Sequence, residues 1–247
     1  IPARMASTRY PGKPLIKIEG LPMIEHVRRR TLLCKGFSDV VIATCDSEIY
    51  DIVKKYNGNV IMTSSDHIMA TDRVAEAVAN IDCTHIVNVQ GDELLILPED
   101  LSTMVQKINS SPKNMFWNAT APIKTAKEVG DSSIVKCILT VHDKIMYCAR
   151  DFSSLKMKSG FDSLQIILGA LGYTRSSLNI YTNLPRTPIE ISESIDQSRI
   201  IENEMELFSV SFTTGYPGIN EPKDLDIVHS ILSKDSKQKK VLRQILK

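Results

Sequence analysis

The first hundred residues alternate short β-branched, apolar runs with longer amphipathic ones, and that alternation admits few folds other than a layered α/β sheet. A first strand ends at Ile1-Pro2-Ala3. Pro22 to Leu33 has helical periodicity with a proline at its first turn, Asp39 to Thr44 is a buried strand, and Glu48 to Tyr56 is a helix closed by Asn57-Gly58. Asn59 to Met62 is again a strand, Thr71 to Asn80 a helix, and His85 to Val89 a strand running into Gln90-Gly91-Asp92-Glu93. The pattern predicts an α/β fold, Rossmann-like, with a mainly parallel mixed sheet. The second half is less regular. Strands are expected over Ile134 to Val141, Lys144 to Ala149 and Ile166 to Thr174, with a mobile Ser/Lys/Gly-rich loop over 153–164. Helices are expected from Glu190 to Arg199 and from Pro222 to Leu232.

The 247 residues are read as one domain, with a nucleotide-binding layer over 1–110, a second part over 111–232 and a basic tail over 233–247. Lys234, Lys237, Lys239, Lys240, Arg243 and Lys247 interleave there with Val241, Leu242, Ile245 and Leu246, which reads as a solvated amphipathic end. Thirty basic against 29 acidic side chains leave a formal charge of +1, so nothing global points to nucleic acid or an anionic membrane. No apolar run approaches a membrane span. The five cysteines are scattered with no CxxC pair, which argues against a disulfide framework or structural zinc and for a reducing cytoplasm. The chain opens at Ile1-Pro2 without Met, so a few upstream residues are expected.

Chemistry concentrates in two places. The loop from Pro2 to Leu15 carries Arg4, Arg9 and Lys13, the hydroxyls of Ser7 and Thr8, and Gly12 directly after the first strand. Ligands of open α/β sheets bind at that carboxyl edge, and forked arginines, a lysine point charge and a close-lying glycine backbone suit phosphates. Neither GxxxxGK[ST] nor GxGxxG occurs. The strand Val87 to Val89 delivers Asp92 and Glu93 to the same edge, where a hard divalent cation bridging phosphate oxygens needs one or two carboxylates. Asp92 is the expected metal ligand; Glu93 either supports it or is structural. The five histidines, His26, His67, His85, His142 and His229, show no metal spacing and read as surface or packing residues.

IPARMASTRYPGKPL, DHIMATDRVAEAV, NVQGDE, IEISESIDQSR and GINEPKDLDIV fall in the order seen in the 3-deoxy-manno-octulosonate cytidylyltransferases, which the chain resembles over essentially its whole length. The resemblance implies a nucleotidyltransferase fold with a smaller sugar-binding and dimerisation lobe. It also implies a cytoplasmic homodimer that uses Mg2+ to couple CTP to a 2-keto-3-deoxy acidic sugar, releasing pyrophosphate, for a lipopolysaccharide or other surface polysaccharide. It assigns catalysis to Arg9, Lys13 and Asp92. Nucleotide contacts fall to Pro2, Ala3, Arg4, Ser7, Thr8, Arg9, Lys13, Thr71, Asp72, Arg73 and Gln90. Sugar contacts fall to Gln90, Arg150, Tyr173, Glu190, Glu193 and Gln197, and the metal to Asp92 and Asn220.

The chain departs from the family pattern in four places. Met69-Ala70-Thr71-Asp72-Arg73 stands for Ser-Gly-Thr-Glu-Arg, and Leu94 for the proline after NVQGDE. Ile167-Leu168-Gly169-Ala170-Leu171-Gly172-Tyr173 lacks a histidine of the family's sugar-binding strand, and Asn220 replaces an aspartate that is a second metal ligand. These changes keep open a different acidic sugar, such as an amino-substituted Kdo, or a nucleotide-binding paralogue with little turnover.

Overall fold

The computed structural model describes residues 1–6, 10–155 and 163–247, so Ser7, Thr8 and Arg9, and the centre of the expected 153–164 loop, lie outside the described residues. The chain forms two compact units, one of Ile1–Asp82, Asn88–Val105 and Tyr216–Lys247, the other of Cys83–Val87 and Gln106–Gly215. The last thirty or so residues, Tyr216–Lys247, return to the first unit.

In the first unit β1 (Pro2–Ala3) leads through a loop to a small hairpin, β2 (Lys17–Ile18) and β3 (Leu21–Pro22), and then to α1 (Met23–Leu32). Next come β4 (Val41–Thr44), α2 (Ser47–Lys55), β5 (Asn59–Met62) and α3 (Ala70–Val78). Strands β1, β4 and β5 form a parallel sheet in that order, with Pro2 opposite Ala43 and Ala43 opposite Ile61. Parallel neighbours require helical crossovers, which α1 and α2 supply. Asn57, in the left-handed region at φ 54°, stops α2 as its sequence suggests. The chain crosses between units in β6 (His85–Val89) and α4 (Pro98–Ser110).

The second unit is built on a mixed sheet. Its elements are β7 (Phe116–Pro122), α5 (Ala126–Gly130), β8 (Lys136–Leu139), β9 (Ile145–Ala149), β10 (Leu164–Thr174), α6 (Arg175–Asn183), α7 (Pro188–Glu193), α8 (Gln197–Glu202) and β11 (Leu207–Ser211). The order is β11-β7-β10-β8-β9, with β6 also paired to β10; β11 runs parallel to β7, and β10 runs antiparallel to both β7 and β8. The helix expected over Glu190 to Arg199 is two, because Ser194 adopts a left-handed φ of 54° between α7 and α8.

The basic end is the solvated amphipathic segment that the sequence suggests: Lys234, Lys237, Lys239, Lys240, Arg243 and Lys247 are exposed, and the opposite, apolar face packs inward as a helix. After α9 (Asp224–Lys234), α10 (Ser236–Ile245) is capped by Asp235, whose side chain accepts from the Lys237 and Gln238 amides. Val241 and Ile245 pack with Leu21 and Leu97 in one buried cluster. Gln238 is fully buried: its Oε1 accepts from Arg30 Nη1 at 2.8 Å and its Nε2 donates to the Leu95 carbonyl at 2.6 Å. Arg30 is itself fully buried and also reaches the Ile96 carbonyl, and burial lowers its pKa to about 10. Residues that pin a buried guanidinium are structural whatever the polarity of their neighbours. Among the described residues no helix is long and apolar enough to cross a membrane.

Two outcomes follow for denaturation measurements. Gln238→Ala strips Arg30 of its side-chain acceptor and the Leu95 carbonyl of its donor, and should lower stability by about 2 kcal/mol. Gly91→Ala should lower the melting temperature, because a Cβ there falls 2.7 Å from the Pro2 carbonyl oxygen, and the strand must yield.

Candidate active site

The loop after β1 is shaped by its own hydrogen bonds. The Met5 amide donates to Asp46 Oδ2 at 2.8 Å, and the Gly12 amide returns to the Met5 carbonyl at 3.2 Å. Gly12 takes φ 73°, a left-handed conformation that a side chain disfavours, and Lys13-Pro14-Leu15 follow as a single 3-10 turn. This turn aims Lys13 back across the end of β1. From β6 the chain turns tightly, with the Glu93 amide on the Gln90 carbonyl, and presents Asp92. Lys13 Nζ lies 2.9 Å from Asp92 Oδ2 and 2.8 Å from the Ile219 carbonyl.

Around this pair is a cavity of about 340 Å³ whose wall includes Pro2, Ala3, Arg4, Lys13, Arg73, Gln90 and Asp92. Seven residues expected on sequence grounds to handle nucleotide or metal therefore share one hollow. Arg4 is exposed and in no ion pair among the described residues. Arg73 is buried and donates to Thr63 Oγ1 and the Ser64 carbonyl, so it braces the loop before α3 as well as bordering the cavity. Thr71, in the first turn of α3, is fully buried beside Asn88, 3.5 Å from its Nδ2, and Asp72 is half-buried in the same turn.

The sequence reading missed His67. It lies in the cavity wall, and its Nε2 meets Glu76 Oε2. Glu76 also accepts the Ser64 amide, and these two bonds, the amide's first, hold its carboxyl below the usual range. A nine-residue separation across a turn and a helix start carries no periodic signal.

Asn220 does not approach Asp92 through any hydrogen bond. Its amide and that of Glu221 both donate to Asp224 Oδ2, at 2.7 and 2.8 Å, and the Glu221 carboxylate is paired with Lys223 at 2.6 Å. Among the described residues no cluster of three or more His, Cys, Asp or Glu could cage a metal. The donor set still fits magnesium, which is held by one or two carboxylates together with substrate phosphates and water; Asp92, with its side chain 38% exposed, supplies one.

The expected sugar residues Arg150, Tyr173, Glu190, Glu193 and Gln197 all belong to the second unit, where they are tied to their own surroundings. Arg150 donates to the carbonyls of Glu193 (2.7 Å), Ser132 (3.1 Å) and Ser194 (3.3 Å), and its amide donates to Glu193 Oε2. Gln197 is buried and donates to Asn118 Oδ1 at 2.8 Å. Tyr173 is buried edge-on to Phe116. Lys136, which the sequence reading passed over as a strand residue, is fully buried and donates to the carbonyls of Asp131, Ile134 and Arg150. Burial lowers its pKa.

Glu190 is fully buried, bound to Arg199 Nη2 at 2.6 Å, Arg186 Nε at 3.0 Å and the Thr187 amide. Burial alone raises a carboxyl's pKa, but these donors outweigh it and the net shift is downward. Glu190→Gln should cost about 3 kcal/mol in denaturant unfolding, since Arg199 is left buried without its counter-charge. A lowered pKa contributes stability above the ordinary glutamate range, so the gap between wild type and variant should close as pH falls below that range and through the lowered folded-state pKa.

A family model described as "Cytidylyltransferase" matches residues 1–207. A 3-deoxy-manno-octulosonate cytidylyltransferase of Leptospira interrogans is 37% identical over 230 residues, covering 92% of each chain. That of Escherichia coli is 31% identical over 237 residues, 95% of each chain. Among solved structures, a CMP:2-keto-3-deoxy-manno-octonic acid synthetase complexed with CTP superposes with a TM-score of 0.88 at 30% identity, covering 95% of this chain and 97% of its own. A 4-diphosphocytidyl-2C-methyl-D-erythritol synthase from Anaerococcus prevotii shares the fold at 13% identity and TM-score 0.65. With a family match over most of its length and relatives of this kind end to end, the chain belongs to the 3-deoxy-manno-octulosonate cytidylyltransferases, enzymes of the nucleotidyltransferase class.

Proposed function

We propose that this enzyme couples CTP to a 2-keto-3-deoxy acidic sugar, Kdo or a related ulosonic acid, to give a CMP-sugar and pyrophosphate. The observation that carries the reading is the convergence of Arg4, Lys13, Arg73, Gln90 and Asp92 on one cavity, in a chain that matches a CTP complex over nearly its full length. Three cations there suit a triphosphate, and an amide side chain offers both donor and acceptor to a ribose or sugar hydroxyl. In the second unit, the reading gives the sugar contacts to Arg150 and its neighbours. The enzyme works as a cytoplasmic homodimer on the way to a surface polysaccharide.

In the reaction, the sugar's anomeric hydroxyl attacks the α-phosphorus in line and pyrophosphate departs, so no protein nucleophile is needed. Lys13 and Arg9 neutralise charge growing on the leaving group, Arg4 aligns the phosphate chain, and Gln90 orients a hydroxyl. Asp92 would hold Mg2+, which when bound would supply charge neutralisation to the phosphates. The apolar run Ile167 to Leu171 on β10, with Leu168 and Leu171 buried, favours an amino-substituted Kdo as second reading, since a family histidine contact is missing there.

The test is pyrophosphate release with Mg2+, each nucleoside triphosphate and a panel of acidic sugars including Kdo and its amino-substituted form. Release with CTP and one sugar is expected; silence across the panel while CTP still binds favours the paralogue without turnover. Lys13→Ala should lower turnover by roughly 100-fold with the melting temperature preserved. Unchanged turnover would remove Lys13 from the mechanism.

A further inference from the structure

The Lys13 ammonium is held in two directions by fixed acceptors. Asp92 follows Gly91, whose backbone is pressed against β1, and the Ile219 carbonyl belongs to a turn that Asp224 clasps through the amides of Asn220 and Glu221. The lysine side chain is only 14% exposed. Its backbone is set by the left-handed Gly12 and the buried Pro14, so the freedom that remains lies in the four-carbon stem.

Among the described residues of the cavity wall, Asp92 is the one carboxylate. Asn220 is neutral, and Glu221 is engaged by Lys223. Counting the formally charged side chains in the described cavity wall, Arg4, Lys13 and Arg73 stand against Asp92 alone, an excess of two positive charges. A divalent cation entering such a hollow by itself meets repulsion and finds its carboxylate already neutralised. A triphosphate reverses the sign of the field and offers the ammonium stronger acceptors than one carboxylate and one carbonyl.

We infer that Lys13 is an interlock: without nucleotide its ammonium occupies the cation's place on Asp92, and the metal site opens only when phosphates draw the lysine away. This rests on reading the cavity as a nucleotide phosphate site. The enzyme then takes up metal with, or after, its nucleotide, never before it, and Lys13 serves first as the guard of Asp92 and then as a phosphate ligand.

Binding of Mn2+, followed by electron paramagnetic resonance of the free ion, tests this without turnover. Wild-type protein alone should bind Mn2+ weakly. Lys13→Met, which keeps the stem but removes the charge, should bind it roughly tenfold more tightly without nucleotide. Adding Asp92→Asn to that variant should abolish the gain. Equal Mn2+ affinity in wild type and Lys13→Met overturns the interlock. A second measurement needs no variant. In metal-free wild-type protein, CTP should shift the side-chain ammonium resonance of Lys13, and a resonance left in place while CTP binds by calorimetry overturns the proposal too. Failure of CTP to bind at all defeats the nucleotide reading instead, and the Mn2+ comparison still decides whether Lys13 guards Asp92.

Discussion

The site depends on one backbone contact, the approach of Gly91 to the carbonyl of Pro2. It lets the chain leaving β6 pass close to the end of β1, and it brings an acidic residue into reach of a lysine 79 positions earlier. A Cβ at position 91 would meet that oxygen at 2.7 Å, closer than a side chain tolerates, so one of the two strand ends would have to shift and carry its charge with it. Around that closeness stand the turn that aims Lys13, the clasp that fixes Ile219, and Arg73, which braces the loop before α3.

Much of the first unit was legible because its elements obey simple periods. Asn59–Met62 and His85–Val89 stand where expected, and α1, α2 and α3 differ from their expected spans by one or two residues at each end. That the basic loop and the NVQGDE turn would meet at one sheet edge was legible, because both follow strand ends of an α/β sheet. That Lys13 and Asp92 would touch each other was not legible, since nothing in either motif states the distance between them.

The second unit resisted reading for a definite reason. Strand β7, Phe-Trp-Asn-Ala-Thr-Ala-Pro, looks too polar for a central strand, yet Asn118 and Thr120 are both fully buried. Their partners are remote in sequence: Gln197 and the Leu168 carbonyl for Asn118, and Ser209 for Thr120 at 2.6 Å. The same logic hid α10, whose Gln238 is needed by an arginine 208 residues away. Local pattern registers polarity, whereas burial of polar groups is decided by long-range pairing. For Glu190 and Gln197 the resemblance implied ligand contacts, and in the structure each also closes an internal bond that local pattern does not announce.

Lys136 carries a consequence of its own. An ammonium ringed by three main-chain carbonyls has the donor set that proteins elsewhere give to a bound potassium or sodium ion. Here the cation is tethered by its own side chain, so it cannot be lost to dilution or exchanged for a competing ion. The turn that carries Asp131 and Ile134, and the main chain at Arg150, are thereby made independent of the salt around the enzyme, an anchorage supplied by the gene and not by the medium.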